Sequence, residues 1–185
     1  MATQPDRPIP LAYLITFTCY GTWLHGDERG SADDDHRMPG TPYLVPDAGR
    51  RDLAARVMRE PPYQLDEAKR CCVLAAIREV CEVRAWRLLA AHVRPNHVHA
   101  VVTGAEVSER IMNALKAYAS RRLNQGRFDD DGCKRWTRHG STRYLWNEAA
   151  VEQAVAYVVD EQGEPAAVYD VRRDGGTAPS RSRLG

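Results

Sequence analysis

Two histidines separated by one residue, His97 and His99, stand in the run RPNHVHAVV. Side chains two apart in a strand point to the same side, so both imidazoles can share a metal ion. The same spacing also describes two strand histidines engaged in hydrogen bonds, and by itself it is a weak metal signal. A second group lies in the segment EAAVEQAVAYVVDEQG. At roughly 100° per residue, Val151, Ala154, Val155, Val158 and Val159 fall on one side of a helix, and Gln153, Tyr157, Asp160 and Glu161 fall on the other. Tyr157 is thus not needed for a core and is available as a nucleophile, although a surface or interface tyrosine shows the same pattern. Tyr118 aligns with the apolar side of its own helix and Tyr144 sits in a short strand, positions that read as packing. Glu161, one turn beyond Tyr157 and at nearly its azimuth, is placed to be a third metal ligand. Its alternative is a solvated carboxylate, and Gln162 is the next candidate ligand. Asn96, in the tight connection before His97, is a further candidate for supporting the site.

These residues need a scaffold. Leu11 to Trp23, rich in β-branched and aromatic residues, reads as a first strand. Residues 24–60 hold repeated Gly, Pro and Asp without apolar periodicity and read as an irregular insertion. A helix is expected from Asp66, its cap, to Val83, with Cys72, Ala76, Val80 and Val83 in helical spacing. Trp86 to Val93 and Val98 to Val102 are apolar runs on either side of RPNH and form a hairpin. A second helix runs from Ser108 to Asn124, stopped at Gly126, with Ile111, Leu115 and Tyr118 inward. Ser141 to Trp146 reads as a fourth strand and Glu148 to Gln162 as a third helix. The order contains the βαββαβ plan of an α+β, ferredoxin-like antiparallel sheet with helices on one face, followed by the helix that carries Tyr157. The whole chain, 1–185, reads as one domain, with 171–185 a flexible basic tail.

Total charge is uninformative, since 26 basic residues meet 25 acidic ones. Its distribution is not. Val107 to Leu145 holds nine Lys and Arg against four Asp and Glu, whereas Leu24 to Glu60 holds six against eight. A basic middle can face phosphates. Five cysteines, an odd number with Cys71, Cys72 and Cys81 in one helix, fit a reduced cytoplasmic setting. No stretch approaches the roughly 18 apolar residues of a bilayer span, so no membrane partner is expected. No Gly-rich phosphate loop suggests a nucleotide cofactor.

Several separated segments, taken in order, resemble one family. RPNHVHAVV after an apolar strand, the opening strand ending in YGTW, and the segments LKAYASRRLN, HGSTRYLWNE and AYVVDEQG together resemble the HUH (His, hydrophobic, His) single-tyrosine transposases. Within these they resemble especially the REP-associated tyrosine transposases and the small insertion-sequence enzymes related to them. That resemblance implies the HUH endonuclease version of the fold, His97 and His99 as metal ligands, Tyr157 as the catalytic tyrosine, Mg or Mn as the divalent metal, hairpin DNA as target, a nucleoid-associated location and a homodimer. Related enzymes commonly carry Gln or Asn where Glu161 stands, which leaves the third ligand open between Glu161 and Gln162.

Such an enzyme attacks a phosphodiester of single-stranded DNA, leaving a 5′-phosphotyrosine and a free 3′ hydroxyl, and another 3′ end reverses the step. Arg121, Arg122, Lys134, Arg135, Arg138 and Arg143, with Trp136 for base stacking, are the candidate groove residues. Two rival readings stay open: a hairpin DNA- or RNA-binding module of the same fold that no longer cuts, and a small-molecule metallohydrolase.

Overall fold

Alternation along Ala12–Cys19 (strand β1) sends Tyr13, Ile15, Phe17 and Cys19 into one core and leaves Ala12, Leu14, Thr16 and Thr18 on the opposite face. The same rule operates in Arg87–Val93 (β2) and His97–Thr103 (β3), whose hairpin pairs His92 with His99. In the computed structural model, which describes residues 9–22, 58, 60–130, 132–163 and 167–174, these strands join Trp136–Leu145 (β4) and Ala167–Asp170 (β5). They form one five-stranded sheet in the order β4-β1-β3-β2-β5, and every pairing is antiparallel. The first four strands carry the order of a ferredoxin-like sheet, and the fold is α+β as expected. The insertion read at 24–60 falls almost wholly outside the described residues.

Helices cover both faces. Glu67–Val83 (α1) starts where the Asp66 carboxylate accepts the backbone N–H of Lys69 at 2.9 Å. It buries Val73, Ala76, Ile77, Val80 and Cys81, while Val83, expected inward, is exposed as the last residue of the helix. Ser108–Gln125 (α2) adds Ile111, Leu115, Ala119 and Leu123 to the same core, against Phe17, Val98, Ala100 and Val102. Glu148–Asp160 (α3), capped by the Asn147 side chain on the N–H of Ala150 at 2.8 Å, crosses the other face. There Ala154, Val155 and Val158 meet Ala12, Ala90, Val101 and Leu145. The site lies on this thinner side.

Three features differ from expectation. β4 begins at Trp136 rather than near Ser141, because its first half is matched to β1 through a register shift between Phe17 and Cys19 that no periodicity announces. Gly140 sits where a β-carbon would fall 2.4 Å from the Thr16 carbonyl. β5 has no signal in its four residues, and is held by pairing with β2. The basic tail expected from 171 begins instead as a helical turn, Val171–Asp174 (α4), in which Arg172 holds the buried Asp170 carboxylate at 2.7 Å. A local ion pair overrides the composition of that segment. Residues 175–185 lie outside the described residues.

The irregular half of β4 depends on Lys116. Its buried ammonium donates to the carbonyls of Thr137 at 3.0 Å and His139 at 3.1 Å, in the stretch where β4 leaves its regular register with β1. Lys116→Met removes the donors while keeping the stem. The expected loss is about 1 to 3 kcal/mol, the cost of stranding partly buried acceptors, read as a lower urea midpoint at unchanged slope. An unchanged midpoint refutes this role.

Candidate active site

Register brings the chemistry together. Thr16 of β1 lies opposite His99 and Thr18 opposite His97, while β2 places His92 opposite His99 from the other side. Val98, Ala100 and Val102 point into the larger core with no exposure, so His97 and His99 emerge together on the α3 face. Their rings lie edge to face with centroids 4.7 Å apart.

Each imidazole is aimed by a neighbour. Nδ1–H of His97 donates to Oδ1 of Asn96 at 2.7 Å. That acceptor selects the tautomer with its lone pair on Nε2, the arrangement by which outer partners orient metal-binding histidines. Asn96 is itself tied to β1, since its carbonyl accepts from the N–H of Cys19 at 2.8 Å and from the Thr22 hydroxyl at 3.1 Å. Nδ1 of His99 hydrogen-bonds the Thr16 hydroxyl at 2.7 Å.

Tyr157 projects from the last turns of α3 with 39% of its surface exposed. Its ring meets His99 edge-on at 5.6 Å between centroids. The tyrosine and both histidines therefore converge within one chain. Gln162 lies with the group: its Nε2 donates to the Tyr157 carbonyl at 3.2 Å, and its side chain favours the charged form of the His99 imidazole beside it. Glu161 does not join. Among the described residues no three His, Cys, Asp or Glu side chains form a metal-holding cluster. The helix expected to run to Gln162 ends at Asp160, and Glu161 is its exposed C-cap, with φ −106° and ψ 5°. Gln162 follows in the bend after the helix, with its side chain beside His99.

Burial, reinforced by His97 and His92 and also by Arg94, pushes the His99 imidazole down to about 4, with Gln162 acting in the opposite direction. Metal-free His99 is thus neutral at physiological pH, the form a metal requires. Two imidazoles, both with Nδ1 engaged, and a carboxamide beside them form a donor set that fits a divalent ion. A consequence for stability follows from the sign of the shift. The unfolded chain takes up this proton near the ordinary 6.5, while the folded chain refuses it until about 4. The stabilising effect of a neutral His99 is complete above pH 6.5 and is lost as the pH falls towards 4. It amounts to something on the order of 3 kcal/mol. Denaturant titrations of the metal-free protein across this range should show wild type losing more stability than His99→Gln; parallel profiles contradict the shift.

Three contributors went unnoticed in the sequence. Thr16 and His92 are identified only by strand register. Arg94 opens the hairpin and acts electrostatically on both His92 and His99. Its guanidinium lies 3.7 Å from where a β-carbon on Gly163 would sit.

The expected groove residues do not form one surface. Arg135 is 5% exposed and its Nε donates to Asp129 at 2.9 Å, beside the Tyr63 hydroxyl at 2.6 Å and the Lys69 ammonium at 2.7 Å on the same carboxylate. Burial pulls that carboxyl up, but the three donors outweigh it and hold it below the usual range. Trp136 is not a stacking platform: it packs edge-on against Phe17 and its Nε1–H donates to Ser120 at 2.9 Å. A local basic excess did not reveal that its members were needed inside. Arg122 pairs with Glu79, Arg121 covers the Tyr118 ring and Lys134 covers Tyr20. Arg138 and Arg143 are exposed on edge strand β4. Tyr144, expected to pack, is instead exposed and stacks on Trp146, itself 52% exposed.

The fold and site define a class first: a ferredoxin-like antiparallel sheet with a histidine pair on a central strand and an exposed tyrosine brought over it by the following helix. The family model described as IS200-like transposase matches residues 63–158, which span the hairpin, the histidines and Tyr157. The chain belongs to that family, whose members are DNA-processing enzymes. No curated protein sequence matches it. Among solved structures, a REP-associated tyrosine transposase bound to a REP hairpin shares 13% identity, covering 87% of this chain and 72% of its own, with a TM-score of 0.46. A Deinococcus radiodurans R1 protein provisionally assigned as a transposase shares 14%, covering 90% of this chain and 100% of its own, with a TM-score of 0.42. Among the described residues no helix is long and apolar enough to cross a membrane.

Proposed function

We propose that this protein cleaves and rejoins single-stranded, hairpin-associated DNA through a covalent bond between Tyr157 and a 5′ phosphate. The observation that carries this reading is the placement of the Tyr157 ring against His99, 5.6 Å between centroids, on the face where His97 also emerges. Tyr157 attacks phosphorus through its phenolic oxygen, the bond to the 3′ oxygen breaks, and the proton lost by the phenol is balanced by one gained at the departing hydroxyl. One phosphodiester replaces another, so no nucleotide hydrolysis is needed, and a different 3′ hydroxyl attacking the phosphotyrosine transfers the strand.

His97, His99 and the Gln162 carboxamide would hold the metal, Mg or Mn in this reading. When bound, a divalent ion neutralises phosphate charge and favours departure of the 3′ oxygen. Asn96 and Thr16 orient the imidazoles, and α3 presents the phenol. Arg94 adds positive charge beside the histidines, where a phosphate would lie. The exposed Arg138 and Arg143 offer charge for the flanking strand. Because tyrosine and histidines meet in one chain, a second copy is not needed to complete the site.

The test is to incubate the protein with a pool of labelled single-stranded hairpin oligonucleotides and Mn or Mg, then run denaturing gels. A protein–DNA adduct that survives denaturation and requires the metal is the expected result. Native-gel retardation without any adduct would instead mean binding without cleavage, and neither would sink the DNA reading.

A further inference from the structure

The helix that presents Tyr157 has a small footing. α3 is 13 residues long and buries only Ala154, Val155 and Val158, and a helix of this length does not hold its shape unaided. Tyr157 sits at the end where carbonyls run out of partners, since the last four of any α-helix accept no intrahelical bond. With α3 stopping at Asp160, the carbonyls of Tyr157 and Val158 are among those four. Side chains take both. Gln162 donates to Tyr157 at 3.2 Å, and the imidazole of His92 donates from Nδ1–H to Val158 at 3.0 Å.

His92 is the unexpected member. It is 0% exposed on β2, directly across the strand pair from His99. Arg94, two residues on, and His99 are the charged and titratable groups whose fields reach it from the sheet side. A fully buried imidazole is a costly way to fill space unless its polar atoms are used. Here the use is specific: it joins the strand that flanks the candidate metal ligands to the carbonyl of the residue immediately following the tyrosine.

We propose that His92 is a positioning residue, whose hydrogen bond to the Val158 carbonyl sets the height and rotation of the last turn of α3 and hence the approach of the Tyr157 hydroxyl to the histidine pair. This rests on the reading of Tyr157 as nucleophile. Misplacement by about 1 Å at a reacting centre can cost up to about a hundredfold in rate, so the loss of one such tether is expected to reach the chemistry without unfolding the chain.

Two substitutions separate position from bulk. His92→Leu fills the space without a donor, whereas His92→Asn places its amide nitrogen where Nδ1 was and keeps the donor. Two readouts are followed: the rate of covalent adduct formation with hairpin DNA and Mn, and amide hydrogen exchange over residues 158–163 in the protein alone. His92→Leu should form adduct about tenfold or more slowly and exchange faster in that segment, with α1 and α2 unchanged. His92→Asn should restore both towards wild type. Unaltered exchange in His92→Leu, or a folded His92→Asn that is no better than His92→Leu, overturns the proposal. If wild type forms no adduct, the function proposed above fails, while the exchange data still decide whether His92 secures the helix.

Discussion

Tyr157→Phe is expected to eliminate the covalent protein–DNA adduct, lowering its rate by at least about a thousandfold, because no other group supplies the nucleophilic oxygen. The substitution removes one atom from a ring that is 39% exposed and leaves the edge-on contact with His99 available. Stability should therefore stay within about 0.5 kcal/mol of wild type, and native-gel binding of hairpin DNA should persist. Tyr118→Phe and Tyr144→Phe are the controls. Tyr118 lies under the Arg121 guanidinium and against the larger core, and Tyr144 stacks on Trp146, so both variants should keep the adduct. Survival of the adduct in Tyr157→Phe, or its loss only in Tyr118→Phe, would assign the chemistry elsewhere.

His97→Ala and His99→Ala should each reduce adduct formation by about a hundredfold or more and abolish the stabilisation that Mn confers on wild type. A ligand that binds only the folded state at about 100 times its Kd contributes about 2.7 kcal/mol, a clear rise in thermal midpoint. That rise should vanish in both variants if both imidazoles hold the ion. The metal-free proteins should differ from each other, because His99 is almost fully buried and bonded to Thr16 while His97 is only half-buried. His99→Ala leaves a cavity and should be the less stable of the two. Asn96→Ala, which releases Nδ1 of His97, should weaken Mn binding by about 10- to 100-fold without removing it. An undiminished midpoint shift in His97→Ala would show that the ion sits elsewhere.

Gln162 shows what the sequence leaves open at this site. The periodicity carries the helix through Gln162, whereas it ends at Asp160 with Glu161 as its C-cap. Helix ends are decided by what receives the final carbonyls, and here those partners are His92 from β2 and the Gln162 side chain. Arg135 and Trp136 teach the same lesson with charge and aromaticity. Both occur in a basic, nucleic-acid-like stretch, yet Asp129 and Ser120 draw them inward.

What the residues determined by themselves was everything governed by the local period of the backbone. His97 and His99 share a strand face because successive side chains alternate, Tyr157 avoids the apolar stripe because helical residues advance by about 100°, and Asp66 caps because its carboxylate reaches its own helix. Tertiary structure alone decided which strand lies beside which. It thereby placed Thr16 and His92 on either side of His99, drew β5 onto β2, shifted the start of β4 and ended α3 before Glu161. Strand register and helix termination are settled by hydrogen-bond partners distant in the chain, and no local pattern encodes their identity.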